Sequence, residues 1–257
     1  MIRLERQAKI LEYIREHEYV ENHELIKFFQ VTPATIRRDL KTLSEQGLIR
    51  VDFGGASIVN RTLINDEPIY ETKAFMNHEA KKAIGQAAAE LVQDGDTIIL
   101  DSGTTNTEIA RSLREVKRRN LTVITCDIIT AKELCPEQNM NVIVLGGQLR
   151  KSYYSTYGAY TEYILRNMHA DKYFLGIDGA SVEQGITNIV LEEVPIKKLQ
   201  IEISNQVILV ADSSKFDKIA PHRVCFWNSI HKVVTDANTP DKYKCLFEEN
   251  HISAIYV

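Results

Sequence analysis

The chain has no run approaching the roughly 20 apolar residues that a membrane helix needs, and it has no low-complexity tract. The opening stretch Met1-Ile2-Arg3-Leu4-Glu5-Arg6 is charged by its third residue and lacks the apolar core of a secretory signal. Export and membrane insertion are therefore not expected, and a cytoplasmic location is. Cys126, Cys135, Cys225 and Cys245 are too widely spaced for a CxxC pair or a mixed Cys/His ligand cluster, so they are expected to be reduced, mostly buried thiols. The seven histidines form neither HExxH nor HxH, which leaves a metal or other cofactor without support; His17, His23 and His222 are expected at the surface. The single tryptophan, Trp227, lies in the run Val224-Cys225-Phe226-Trp227 and is expected in a core or an interface. Positive charge is also short, with 31 Lys and Arg against 35 Asp and Glu, which argues against binding nucleic acid through the chain as a whole.

What is present is distributed unevenly. Between Lys27 and Arg50, five cations (Lys27, Arg37, Arg38, Lys41 and Arg50) face only Asp39 and Glu45, so a basic surface is concentrated where a small domain can present it. At 257 residues the chain is expected to form two domains: 1–58, a linker over 59–77, and 78–257.

In the first region, Ala8, Ile10, Leu11 and Ile14 recur at helical spacing within Leu4 to Ile14. A second short helix is expected from a cap at Asn22 through Phe29, and Gln30-Val31 make a tight turn. Thr32-Pro33 then starts a third helix, because threonine can accept free backbone N–H groups and proline at the first helical position sacrifices no hydrogen bond. Ile36, Leu40 and Leu43 share its inner face, leaving Thr35, Arg37, Arg38 and Lys41 largely outside. Strands are expected at 48–53 and 56–59 around Gly54-Gly55. This is the order of a winged helix-turn-helix. Arginine can donate two hydrogen bonds to guanine, and the threonines and backbone N–H groups can hold phosphates, so Thr32, Thr35, Arg37, Arg38 and Lys41 are the candidate DNA contacts. An isolated Arg-Arg pair would ordinarily be a solvated helix face; the preceding helices and following wing favour DNA.

From Glu79 onward helices alternate with short β-branched runs, the pattern of an open, mainly parallel sheet covered by helices. The expected strands are Thr97–Leu100, Leu121–Thr125, Asn141–Leu145, Lys172–Gly176, Gln206–Ala211 and Lys232–Thr235. The loop Asp101-Ser102-Gly103-Thr104-Thr105 offers hydroxyls and N–H groups to an anion at a helix start, although it lacks the lysine and glycine spacing of a nucleotide P-loop. Ligands of such sheets bind beyond the carboxyl ends of the strands, which adds Asp127, Gly146, Gly147, Asp178 and Lys215 as candidates.

Over nearly its full length the chain resembles the DeoR family of bacterial sugar-metabolism regulators. The resemblance rests on Arg6 to Leu11, Val31 to Leu40, Gly54-Gly55-Ala56, Asp94-Gly95-Asp96 through Thr105, Leu145-Gly146-Gly147, Phe174-Leu175-Gly176 and Ala211 to Phe216. It implies an α/β sensor domain similar to ribose-5-phosphate isomerase folds but used for binding, a phosphorylated sugar-like effector, operator DNA as partner, and a homo-oligomer, dimer or tetramer. It places Thr35, Arg37 and Arg38 on DNA and Asp101 to Thr105, Asp178, Lys197 and Lys215 at the effector. Two departures stand out: Val51-Asp52-Phe53 replaces the usual basic residue and histidine of the wing, and Pro195 falls where a helix former is usual. A sugar-phosphate isomerase or deaminase fused to a DNA-binding module is the alternative, since Asp101, Asp178 and Lys215 supply acid and base groups.

Overall fold

In the computed structural model, which describes residues 1–17, 19–52, 54–59, 63–64 and 67–257, the chain divides into two units, Met1–His78 and Glu79–Val257. The first contains α1 (Arg3–His17), β1 (Tyr19–Glu21), α2 (Asn22–Phe29), α3 (Pro33–Glu45), β2 (Ile49–Asp52), β3 (Gly55–Ile58) and α4 (Tyr70–Phe75). Ala8, Ile10, Leu11 and Ile14 of α1 are buried with Leu25, Ile36, Leu40 and Leu43, so the expected apolar stripes meet in one core. The cap of α2 falls one residue earlier than expected, at Glu21, whose N–H donates to Glu24 Oε2 at 3.1 Å. Gln30 makes the left-handed turn, φ +52°, that reverses the chain into α3.

The hairpin β2–β3 gains a third, antiparallel strand, β1, that the sequence did not announce. It passes so close to Gly55 that a methyl there would lie 2.4 Å from Tyr19 Oη and 2.6 Å from the Val20 carbonyl oxygen. Only glycine fits. Phe53, expected in the wing strand, lies outside the described residues, whereas Arg50, Val51 and Asp52 are exposed.

Residues 59–77, expected as a linker, contain α4. Tyr70 and Thr72 are buried, α4 packs on α1, and Phe75 and Met76 join the first core. The Asn77 N–H completes the junction by donating to Glu12 Oε1 at 2.5 Å. Burial against a distant helix stabilises this element, and six residues are too few to show a helical period.

The second unit runs α5 (His78–Glu90), β4 (Thr97–Leu100), α6 (Thr104–Val116), β5 (Leu121–Thr125), α7 (Ile128–Leu134), β6 (Met140–Val144), β7 (Gln148–Arg150), β8 (Ser155–Tyr157), α8 (Ala159–Leu165), β9 (Ala170–Leu175), β10 (Gly179–Ser181), β11 (Gly185–Asn188), α9 (Val194–Glu202), β12 (Ser204–Val210), β13 (His222–Cys225), β14 (Lys232–Thr235), α10 (Asp241–Glu249) and β15 (Ser253–Tyr256). Seven strands form the main sheet in the order β15-β14-β12-β9-β4-β5-β6, and every pair in it is parallel.

Both faces of this sheet are covered. Ile98, Leu100, Phe174, Ile208 and Val210 pack with Ile84 and Ala88 of α5 and Ile109 and Leu113 of α6. Ile99, Tyr173, Leu175, Val207 and Leu209 pack on the other side with Ile196 and Leu199 of α9 and Tyr243 and Phe247 of α10. The near-continuous apolar strands follow from this double burial. A hairpin, β7–β8, and a small antiparallel sheet, β10-β11-β13, are additions to the expected α/β pattern, as is β15 at the sheet edge. Trp227 is buried, and its indole N–H donates to the Ser181 carbonyl at 2.9 Å. The thiols depart from expectation: Cys126 is buried and Cys225 half-buried, but Cys135, in the turn just after α7, and Cys245, on the outer side of α10, are exposed.

Candidate functional site

The exposure of the candidate DNA contacts is set by what α3 buries. Ile36, Asp39, Leu40 and Leu43 face inward, and Thr32, Arg37, Arg38 and Lys41 are exposed with Thr35 half-buried beside them. Thr32 caps the helix by accepting the Thr35 N–H at 3.3 Å, and its hydroxyl lies 2.9 Å from the Thr35 hydroxyl. The sequence counted Asp39 against the positive surface, but its carboxylate is 1% exposed and accepts from Arg6 Nε at 2.6 Å and Gln7 Nε2 at 2.9 Å. That carboxylate anchors α3 to α1. Among the described residues, no carboxylate neutralises Arg37 or Arg38, and Lys41 meets only the exposed Glu45, at 3.8 Å.

In the second unit the strand order reverses between β4 and β9, and this is where an open parallel sheet leaves a crevice beyond its strand ends. Asp101 follows β4 and is 1% exposed. Its Oδ2 accepts from Lys197 Nζ at 2.5 Å, Tyr173 Oη at 2.8 Å and the Gly176 N–H at 3.0 Å, while Oδ1 accepts from the Ser102 N–H at 2.9 Å. Lys197 also donates to the Gly176 carbonyl at 3.0 Å. Burial opposes its charge, but Asp101 and Glu193 outweigh that effect and hold its ammonium above the usual lysine range. Pro195 does not disturb this arrangement, since it lies in the first turn of α9, where a missing N–H costs nothing.

Asp127 braces the loop from the neighbouring strand. It caps α7 by accepting the Thr130 N–H at 2.9 Å, and its other oxygen accepts the Gly103 N–H at 3.0 Å. Burial pushes its carboxyl up to about 6, although these N–H donors pull the other way. Gly103 holds φ +129°, which a side chain would resist, and passes the chain into α6. Thr104 is buried and Thr105 half-buried at the helix start, whose first-turn N–H groups lack partners within the helix and carry its positive dipole.

Asp178 is placed nearby by β9, with Oδ2 accepting from the Ile189 N–H at 2.9 Å. Lys215 is half-buried in the turn after β12. Burial would raise the Asp212 carboxyl, but Lys215 and Lys81 hold it below the usual carboxylate range. Gly146 and Gly147 are exposed at the end of β6, two strands from β4; the Gly146 carbonyl accepts from Thr161 Oγ1 at 2.8 Å. A methyl on Gly147 would meet Thr161 of α8 and Tyr157 of β8.

The sequence did not single out Lys81, Asn106 or Tyr173. A methyl on Gly85 would meet the Glu108 backbone at 2.7 Å, so α5 and α6 touch there. Both helices descend from the same end of the sheet, which puts Lys81, one turn before Gly85, level with Thr104, one turn before Glu108. Lys81 is 3% exposed, an unusual state for a lysine. The available signal was its spacing from Gly85 and Ala88, which places it on the buried face of α5. Glu193 was also missed as a brace: it accepts from Arg150 at 3.1 Å, Ser155 Oγ at 2.9 Å and Asn188 Nδ2 at 3.2 Å, fastening the β7–β8 hairpin to the start of α9. Among the described residues, no group of three or more His, Cys, Asp or Glu could hold a metal ion, and no helix is long and apolar enough to cross a membrane.

Comparison with known proteins matches two family models along the chain. The DeoR-like helix-turn-helix domain matches residues 6–62 and the DeoR C terminal sensor domain matches residues 76–237. The glycerol-3-phosphate regulon repressor of Escherichia coli is 31% identical over 98% of this chain and 98% of its own length. The transcriptional repressor AccR of Agrobacterium fabrum is 34% identical over 91% of this chain and 90% of its own. Among solved structures, ribose 5-phosphate isomerase from Plasmodium falciparum aligns with 53% of this chain and 52% of its own at 18% identity and a TM-score of 0.39. The translation initiation factor eIF-2B of Pyrococcus horikoshii aligns with 88% and 81% at 17% identity and a TM-score of 0.44.

Proposed function

The chain belongs to the DeoR family of DNA-binding transcriptional regulators, and from that premise we propose that it represses a carbohydrate-catabolic operon and releases operator DNA when a phosphorylated sugar enters the sensor crevice. The observation that carries the ligand half of this reading is the convergence of Asp101, Lys197 and the N-terminus of α6 at the switch point of the sheet. A phosphate there meets the positive end of α6 with Lys81 and Lys215 as the nearest added cations, while Asp178 and the Asp101–Lys197 pair offer polar atoms to the sugar. Asp127 and the Ser102–Gly103 turn hold the loop in shape for it.

The site binds rather than turns over. Asp101 already accepts four hydrogen bonds, so it has little basicity to offer a substrate proton. On DNA, Arg37 and Arg38 read base edges from α3 while Thr32, Thr35 and Lys41 fix it to phosphates. The acting species is a homo-oligomer in the cytoplasm, because paired recognition helices are what match paired half-sites one helical turn apart.

Binding of the full chain to labelled DNA from upstream of its own gene, in competition with random DNA at physiological salt, tests the regulator reading. The expected preference is at least about a thousandfold, abolished in Arg37→Ala with Arg38→Ala. Equal competition by random DNA would refute operator recognition.

A further inference from the structure

Asn106 lies in the first turn of α6 and is 0% exposed, yet neither its Oδ1 nor its Nδ2 has a hydrogen-bond partner among the described residues. The amide is aimed at the crevice. A methyl placed on Gly176 would lie 3.2 Å from Asn106 Nδ2, 3.3 Å from the Ser102 carbonyl oxygen and 3.7 Å from Asp101 Oδ2. The side chain therefore faces the junction of Asp101, Ser102 and Gly176, the place where strand order reverses. Enclosing a donor and an acceptor without partners is destabilising, because both give up their hydrogen bonds to water. A leucine, with the same number of side-chain heavy atoms in the same branched shape, would carry no such polar groups.

We infer that Asn106 recognises a hydroxyl of the effector close to its phosphate, so that the sensor selects polyhydroxylated phosphates over bare phosphate. This rests on the crevice reading above and adds the group that sets its selectivity. The amide presents an acceptor and a donor side by side. A hydroxyl satisfies both, donating to Oδ1 and accepting from Nδ2, whereas the unprotonated oxygens of a phosphate ester or a carboxylate only accept and would leave Oδ1 unpaired. Access runs through the Ser102–Gly103 turn, which is half-buried and includes the glycine at φ +129°. The neighbouring donors are already committed: Lys197, Tyr173 and the N–H groups of Ser102 and Gly176 all point to Asp101, and the Gly103 N–H points to Asp127. Asn106 is therefore a buried side-chain amide at this corner with both polar atoms unspent.

The experiment uses the full-length protein, its Asn106→Leu variant and, in case leucine perturbs packing, Asn106→Ala. Binding of inorganic phosphate, glycerol 3-phosphate, D-ribose 5-phosphate and D-glucose 6-phosphate is measured by calorimetry, and thermal midpoints without ligand are followed by Trp227 fluorescence. Both variants are expected to bind inorganic phosphate as the parent does, while the preference for the best sugar phosphate over inorganic phosphate falls about tenfold. Ligand-free Asn106→Leu is expected to melt about 2 to 4 °C higher than the parent. An unchanged preference in both variants would overturn the inference while leaving the crevice reading in place. If none of the four phosphates binds the parent, the crevice reading falls and this inference falls with it.

Discussion

Replacing Lys197 with methionine keeps most of its stem but removes the ammonium from a pair in which the side chains of Lys197 and Asp101 are 4% and 1% exposed. Breaking a buried ion pair from one side costs about 3 to 5 kcal/mol, because the surviving charge stays in a medium that solvates it poorly. Asp101 retains three donors, Tyr173 Oη and the N–H groups of Gly176 and Ser102, so the lower end, about 3 kcal/mol, is expected. Trp227 is the only tryptophan and is buried in the second unit, so its fluorescence during urea unfolding reports that unit alone. The midpoint should fall by about 1 to 2 M. Adding Asp101→Asn to Lys197→Met removes the stranded charge and should restore about 2 kcal/mol. A loss below about 1 kcal/mol for the single variant, or a double variant no more stable than the single, would refute the view that this pair is a desolvated electrostatic unit.

Three further outcomes follow from the same geometry. Asp39→Asn leaves Arg6 and Gln7 with one acceptor in place of a carboxylate and should destabilise the first unit by about 3 kcal/mol; far-UV circular dichroism should show its helices melting earlier. The Asp127 carboxyl is raised to about 6 in the fold, so the folded form binds a proton that the unfolded chain does not bind between about pH 4 and 6. The parent should accordingly gain stability relative to Asp127→Asn as pH falls through that window, by at most about 1.4 kcal/mol per pH unit, and a pH-independent difference would contradict the raised value. Arg37→Ala should relax base preference in the operator while leaving the slope of log affinity against log salt nearly unchanged, and a slope reduced by about 0.9 with base preference intact would contradict its assignment to a base edge.

The sequence was most legible where local chemistry and burial agree. Thr32-Pro33 and the stripe Ile36, Leu40, Leu43 set α3 because the cap, the first-turn proline and the core all demand the same helix. Thr97–Leu100, Leu121–Thr125 and Lys232–Thr235 fall on strands at the expected ends because parallel strands buried on both faces must be continuously apolar. Elements such as β1, β7, β8 and α4 are three to six residues long and owe their form to partners distant in sequence.

The candidate site divides in the same way. Asp101 and Asp127 follow strands and can be located from the strand pattern, whereas the partner of Lys197 depends on where α9 crosses the strand ends. Lys81 and Asn106 look like ordinary helix residues until the approach of α5 to α6 at Gly85 and the bare backbone at Gly176 place them by the crevice. Asp39 shows the reverse error. It counts as surface charge in the sequence but is a buried anchor, so the exposed face of α3 is more positive than the tally indicated.

The most direct test of the central claim, that an anion in the sensor crevice controls DNA affinity, is the dissociation constant of the full-length protein for its own upstream DNA with and without a sugar phosphate that binds it. A weakening of roughly 5- to 150-fold is predicted, with Lys215→Met losing the response while still binding DNA in the absence of ligand. An unchanged constant with every phosphate that binds the protein would show that the crevice is not coupled to DNA binding.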